Sequence, residues 1–444
     1  MKPQKREKVL GARLCTLLWS LGLMSQIGWN IEGQWFNTFV YAKIAKDPSI
    51  ITAMLICSAA ATTFSTFFFG TVTDRTGKRR TLISTGYIIW GILTICFAFT
   101  EFAGKNFYLI ACAGVVLGDM LISFFASMST DAGVNTWITD IMTDKNRGQI
   151  GGIVAAVCVL GTILGNILGS TLVGENNNYM RLFFVTGLLL IFFGIASMFL
   201  LSKKDDVAPS IRGTFTQQFL NGFNFEKIFS VKELLLVNIA VTLYFTGFNS
   251  YFPHLGNYLI DHIGYTPDMI GLIEGIPMVL AMLIAVPIAN LINKEWHLPV
   301  VSSAIISAIG GMLLIAPLTP EKVDTTTFFN IRIWGGILFL GIGYVIMLQT
   351  TKVWTKQLHP KGRRGQFEGI WAIFFALMPM LFGSIVSQTV IKNTSEPFFT
   401  SFNALPEYIP NGNIFIVGVI ISSLSIIPFL YAEKHHKKRI KKKK

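Results

Sequence analysis

Apolar residues in this chain come in runs of about twenty, separated by short polar or basic loops. A bilayer core about 30 Å thick is crossed by about 20 residues rising 1.5 Å each. Runs of that length at 14–42, 48–73, 81–100, 106–131, 148–173, 182–202, 233–260, 268–292, 298–318, 333–352, 367–391 and 412–432 predict twelve spans. The stretches 49–73 and 149–173 contain no charged residue. In lipid the backbone must satisfy its own polar groups, so each run predicts an α-helix.

One polar pattern interrupts these runs twice. Trp137, Arg147, Gly148, Gln149, Gly152 and Ile153 recur 217 residues later as Trp354, Arg364, Gly365, Gln366, Gly369 and Ile370. An echo at half-length predicts two related halves enclosing a site between them. The expected fold is an all-α membrane protein of twelve transmembrane helices in two six-helix, pseudo-symmetric bundles. Residues 1–202 form the first bundle, 203–232 a linker, 233–432 the second bundle and 433–444 a basic tail. Within the linker, Phe215 to Lys232 reads either as plain connection or as an amphipathic piece on the membrane surface. In the fifth span Gly161, Gly165 and Gly169 form a small-xxx-small series that admits a neighbouring helix closely. Met378 and Phe382 stand in the matching stretch of the eleventh span.

Composition agrees with this picture: 52% of residues are hydrophobic and 14% charged, against about 25% charged in a soluble domain. The net charge of +13 is explained by its placement. With the N-terminus inside and the spans alternating, only Lys43, Lys46, Lys105, Arg181, Lys322, Arg332 and Lys392 among 37 Lys and Arg fall outside. This asymmetry predicts both termini in the cytoplasm and a multi-pass protein of the cell membrane. The run from Lys434 to Lys444 is expected to meet anionic lipid headgroups and not nucleic acid. The N-terminal span is too long for a cleavable signal sequence. Cys15, Cys57, Cys96, Cys112 and Cys158 lie in predicted spans without CxxC spacing, and read as packing residues. No phosphate-binding loop, metal cluster or nucleophile–base set is visible, so the chain is not expected to be an enzyme or to carry a cofactor.

The loop after the second span reads GTVTDRTGKRR. Gly70, Asp74, Arg75, Gly77, Lys78, Arg79 and Arg80 resemble, position by position, the signature loop of the major facilitator superfamily. The resemblance covers the whole chain and implies two six-helix bundles rocking about a central site. It also implies that Asp74 caps the start of the eleventh span, near Gln366 and Glu368, and latches the cytoplasmic side shut. Asp74, Arg75, Arg147 and Arg364 are therefore the expected gating residues. The phrase WNIEGQWFNTFVY, from Trp29 to Tyr41, is similar to sugar-transporting members of the glycoside–pentoside–hexuronide cation symporters. Their paired acids in the second span are absent here, which removes the basis for sodium coupling of their type. The fifth-span proline of drug/proton antiporters is absent as well.

An acid at mid-bilayer costs about 2.5–3.5 kcal/mol on insertion scales, so Glu32, Asp119 and Glu274 are the expected proton-coupling residues. Burial disfavours the charged carboxylate, which suits proton exchange near neutral pH. Ser123, Ser127 and Thr130 follow Asp119 at helical spacing. The first and seventh spans are repeat partners whose polar residues echo: Asn37 with His254, Tyr41 with Tyr258, Asn30 with Gly247 and Glu32 with Asn249. Gln26, Asn30, Asn37 and Tyr41 share one helix face. That face predicts a wet cavity in which Asn30, Asn37, Tyr41, His254, Tyr258, Asn249 and Gln349 hydrogen-bond a polar solute. Trp29, Trp35, Phe248 and Tyr251 are placed to stack on a sugar ring, with packing as the competing role. Lys352 either snorkels to headgroups or pairs with Asp131.

The expected function is proton-coupled secondary transport of a small polar solute, a sugar or glycoside, by alternating access and as a monomer. Expected partners are the solute, a proton or other cation, and membrane lipids. Two rivals remain at this level: export of an amphipathic or lipid-like compound, and a passive facilitator or transporter-derived sensor.

Overall fold

A computed structural model describes residues 11–104, 107–143, 146–202, 205–211, 213–220, 231–285, 296–358, 371–400 and 403–443. Among them eleven helices are long and apolar enough to cross a membrane. They correspond to the second to twelfth predicted spans. The first span is the twelfth helix: α1 runs unbroken from Ala12–Asn30 through π-helical turns at Ile31–Trp35 and Val40–Ile44. Its hydropathy is lowered by the polar stripe Gln26, Asn30, Gln34 and Asn37 and by Glu32 on another face, none of which lipid would tolerate.

The remaining first-half helices are α2 (Pro48–Thr76), α3 (Arg79–Ala98), α4 (Tyr108–Ser129), α5 (Arg147–Val173) and α6 (Tyr179–Leu200). The second half comprises α7 (Lys232–Asn249), α8 (Pro267–Ala285), α9 (His297–Ile315), α10 (Ile331–Leu358), α11 (Met378–Thr394) and α12 (Asn413–Leu424). The last continues as Ile426–Lys443 beyond the apolar segment. A short hairpin, β1 (Phe398–Thr400) with β2 (Asn403–Glu407), joins α11 to α12. Within the halves α3 packs on α6, α2 on α4, α1 on α5, α9 on α10, and α7 on α11 and α12. Between the halves α5 meets α8 and α2 meets α11.

The glycine series of α5 does what its spacing predicts. A Cβ at 161 would lie 2.3 Å from Gln26 Cβ, one at 165 would lie 2.4 Å from Asn30 Oδ1, and one at 169 would lie 2.1 Å from the Trp35 ring. The bare glycine face therefore draws α1 in until its polar stripe touches the α5 backbone. On α11, Met378 and Phe382 instead border a shallow groove against α7, and Phe382 is exposed.

Helix α7 breaks after Asn249. A single 3₁₀ turn, Phe252–His254, precedes Leu255–Asn257 and a π-helical turn at Tyr258–Ile263. Pro253 supplies no backbone N–H, so the α-helical ladder cannot run through this point. Broken helices at membrane depth are tolerated where they line a cavity. The π-helical turn recurs near the repeat position of the one at Val40–Ile44, so the echo extends from sequence to backbone.

On the termini side the linker straps the signature loop. Val207 N–H donates to Gly77 O at 3.0 Å and Ser210 N–H to Asp74 O at 2.7 Å. Arg75 donates to Gly213 O at 2.8 Å. Gly77 has φ of +72°, and a Cβ there would lie 2.0 Å from Val207 O; glycine alone fits both demands. Phe215 and Phe219 pack edge-on against Phe68 and Phe64, which gives the first part of the linker's amphipathic piece a docking place on α2. Residues 221–230 lie outside the described residues. Arg79 is buried and pairs with Asp74 at 3.1 Å and Asp140 at 2.9 Å. Asp74 is thus engaged within its own loop, while Gln366 and Glu368, its expected neighbours, lie outside the described residues. In the second half, Glu233 at the start of α7 receives Arg439 at 3.0 Å, His436 at 3.2 Å and Trp354 Nε1 at 3.0 Å, which holds the α12 extension to the bundle.

Candidate functional site: a central cavity between the halves

Midway along the helices a cavity of about 210 Å³ lies between the two halves. Gln26, Trp29, Asn30 and Gln34 of α1 and Thr162 and Asn166 of α5 form one side. Phe248, Tyr251 and Phe252 at the α7 break, Glu274 and Met278 of α8, and Tyr344 of α10 form the other. Gln26, Asn30 and Gln34 are spaced by four, one turn each, so α1 presents a row of amides. Phe248 packs on Tyr344 with ring centroids 5.0 Å apart and on Tyr251 at 5.5 Å, an aromatic wall opposite the amides.

Glu274 joins the halves. Gln34 Nε2 donates to its Oε2 at 2.6 Å and Asn166 Nδ2 to the same oxygen at 3.0 Å. Its Oε1 has no hydrogen-bond partner. The other two acids lie deeper in the first half, away from the cavity wall. Ser123 donates to Glu32 and Ser58 to Asp119, and the two carboxyls face each other electrostatically. Glu32 Oε2 is without a partner.

Six of the residues singled out by sequence meet in the cavity wall: Gln26, Trp29, Asn30, Phe248, Tyr251 and Glu274. The others do not reach it. Asn37 donates to Gly33 O at 2.8 Å on its own helix, and its backbone oxygen accepts from Asn257. Tyr41 and His254 pack edge-on with centroids 6.4 Å apart, nearer the side away from the termini. Neither the Tyr41 hydroxyl nor either His254 nitrogen has a hydrogen-bond partner. Tyr258 donates to Ile315 O at 3.0 Å, a contact that finishes α9. Asn249 donates to Phe245 O at 2.8 Å along its own helix, and Gln349 is half-buried on α10. The side chain of Arg147, and Arg364 altogether, lie outside the described residues. Lys352 acts electrostatically on Asp131, which itself accepts from Ser127 and Asn135.

A second cluster closes the side away from the termini. Lys46 pairs with Asp261 at 2.6 Å and Lys392 with Asp47 at 3.2 Å. Thr52 donates to Ser384 O at 3.0 Å, Gln388 to Ser49 Oγ at 3.0 Å, and Tyr408 N–H to Lys46 O at 2.7 Å. Each of these contacts links the first half to the second. The sequence carried a signal for them: Lys43, Lys46 and Lys392 are exceptions to the charge asymmetry, and all three are ion-paired, Lys43 with Glu101 at 2.8 Å. Gln34, Asn166 and Tyr344 also escaped the sequence reading, although Gln34 continues the spacing of Gln26 and Asn30.

Twelve membrane helices in two halves, with a cavity of amides and aromatic rings held between them and a seal on one side, define a membrane transporter of small solutes. The chain belongs to the Major Facilitator Superfamily, whose sequence profile matches residues 18–383 and 237–444. It is a secondary transporter and not an enzyme. Solved structures with this fold include a mutant form of the nucleoside transporter NupG (15% identity, TM-score 0.72, 94% of this chain and 99% of that one). The D-xylose-proton symporter aligns at 14% identity and TM-score 0.66 over 93% of this chain and 96% of that one. A bacterial homologue of the human lysosomal transporter Spinster, inward-facing and unoccupied, aligns at 14% identity and TM-score 0.64 over 96% and 98%. At these identities the likeness is one of fold. No curated protein matches the chain in sequence.

Proposed function

We propose that this protein moves a small polar solute, a sugar or small glycoside, across the cell membrane together with protons, its termini lying in the cytoplasm. The observation that carries the reading is the cavity itself: amides from α1 and α5 on one wall, aromatic rings from α7 and α10 on the other, and one carboxyl between them. Amides hydrogen-bond hydroxyls, and ring faces cover the apolar side of a pyranose. At about 210 Å³ the space falls below the roughly 300–1,000 Å³ of pockets for drug-sized ligands, which favours one ring over an extended glycoside or a lipid.

Coupling follows if solute and proton favour different positions of the two halves, 1–202 and 233–432. Among the described residues the halves are joined away from the termini, which supports reading the cavity as that of a state facing the termini. Glu32 and Asp119 form a carboxyl pair among serine hydroxyls, suited to holding and releasing one proton between them. Glu274 is the third acid, and its hydrogen bonds to Gln34 and Asn166 link protonation to the contact between halves.

Proteoliposomes loaded with a pH gradient test this reading. Sugar accumulation should follow the gradient and collapse when it is dissipated. Neutralising both members of the pair, Glu32→Gln with Asp119→Asn, should leave exchange of solute intact while abolishing gradient-driven accumulation. Full accumulation by that variant removes the pair from the mechanism.

A further inference from the structure

The central cavity asks for a particular kind of solute. Three of its wall residues each leave a buried oxygen without a hydrogen-bond partner: Asn166 Oδ1, Glu274 Oε1 and Asn30 Oδ1, the last turned onto Gly165 of α5. All three are acceptors, and buried acceptors left unmatched are costly. The wall contains one carboxyl and, among the described residues, no Lys, Arg or His. Among the described residues, the charged groups around the wall are two acids and one lysine. Glu32 and Asp119 are acids in the first half, and Lys352, toward the termini, acts on Asp131 and on Cys158, which bonds Gln26 of the wall, so the lysine does not face Glu274 directly. The rings of Trp29, Phe248, Tyr251 and Tyr344 complete the wall, and aromatic faces attract cations.

We propose that the solute carries a protonated amine, received by the Glu274 carboxylate with the side-chain oxygen of Asn166 beside it. An ammonium group offers three donors and no acceptor, the complement of unmatched acceptors and one negative charge. Gln34 and Asn166 already occupy Glu274 Oε2, which fixes the carboxylate plane and reserves Oε1. With the volume and the amide wall, this selects an amino-substituted sugar. The inference rests on the reading of this cavity as the solute site.

The test compares binding to the purified full-length protein, by thermal unfolding and by titration calorimetry, well below the amine's own pKa. The panel is glucosamine, N-acetylglucosamine, glucose, ethanolamine and, as a salt control, sodium chloride against potassium chloride. Glucosamine should bind about tenfold or more tightly than its N-acetyl form or glucose, the scale of a charge-assisted hydrogen bond. In Glu274→Gln that preference should fall to within about twofold. The wild-type panel stands without the variant, should Glu274→Gln fail to fold. Equal binding of glucose and glucosamine overturns the amine while leaving the sugar reading in place. Ethanolamine binding as tightly as glucosamine, with glucose inert, upholds the amine and removes the sugar. Stabilisation by sodium alone, or by no amine in the panel, overturns the proposal.

Discussion

Gln34 on α1 donates to Glu274 on α8 across 2.6 Å, one bond spanning the two halves at the wall of the central cavity. A hydrogen bond to a charged group contributes about 1.5–3 kcal/mol. Separation of the halves on this side must break it, so it stabilises the state seen here. Gln34→Ala should therefore raise the population open away from the termini by roughly tenfold or more. Thiol labelling of a cysteine at Thr38, in a background without the five native cysteines, reads that population. Unchanged labelling would show that the bond holds no conformation.

The ion pairs Lys46–Asp261 and Asp47–Lys392 act in the same direction. Their side chains are partly exposed, 28% and 13% in the first pair and 34% and 16% for Lys392 and Asp47 in the second, so each is expected to contribute about 1 kcal/mol or less. Asp261→Asn should shift the equilibrium by up to about fivefold, and molar salt should move the wild type further than the variant, which keeps only the Asp47–Lys392 pair. A salt response equal in the two proteins would argue against the pair.

Packing between α5 and α8 offers a steric test. A Cβ at Gly271 would meet Ser170 Oγ at 2.2 Å and Asn166 O at 2.8 Å. Gly271→Val should force α5 from α8 at a cost of about 1–3 kcal/mol, slowing transport in a protein that still inserts and folds. At Gly33, which lines the cavity, a Cβ would find no atom within 4 Å. Gly33→Ala should leave thermal stability unchanged and discriminate against the larger members of a solute series. Loss of stability in Gly33→Ala, or full activity in Gly271→Val, contradicts this account of the two glycines.

Much of the architecture can be read in the chain because lipid imposes it. Apolar runs, charge asymmetry and the echo from Trp137 to Trp354 each reflect a constraint that acts on composition directly. The glycine series at 161, 165 and 169 was equally legible, since only close approach of a helix makes a bare stripe useful. The cavity was legible in part. Gln26, Trp29, Asn30, Phe248, Tyr251 and Glu274 stand in its wall, but helical spacing gives a face and not a depth. Asn37, Tyr41 and His254 share that face at a level where α1 and α7 already touch. The break at Ser250–His254 also rotates α7 beyond what periodicity alone implies. Asn166 sits among apolar neighbours on α5, and only the partner helix reveals that its amide reaches Glu274.

The strap between linker and first half has a pH signature. Burial alone pushes the Asp205 carboxyl up, but hydrogen bonds from Arg13 and from the Ser202 N–H and hydroxyl outweigh it and hold the group below its ordinary value. A group depressed in the folded state stabilises above its unfolded pKa, about 3.9, and loses that contribution as pH falls through the folded value. Protease resistance of the linker should therefore be constant from neutral pH down to about pH 4 and fall only below it. In Asp205→Asn it should be low throughout. A decline in the wild type already near pH 6 would point to a different group.

The central claim is that the halves separate on the side away from the termini during each cycle. Cysteines at positions 46 and 261, joined by a short thiol cross-linker in proteoliposomes, test it most directly. Cross-linking should stop solute exchange, and cleaving the linker should restore it. Exchange that continues at the full rate with every molecule cross-linked contradicts the account.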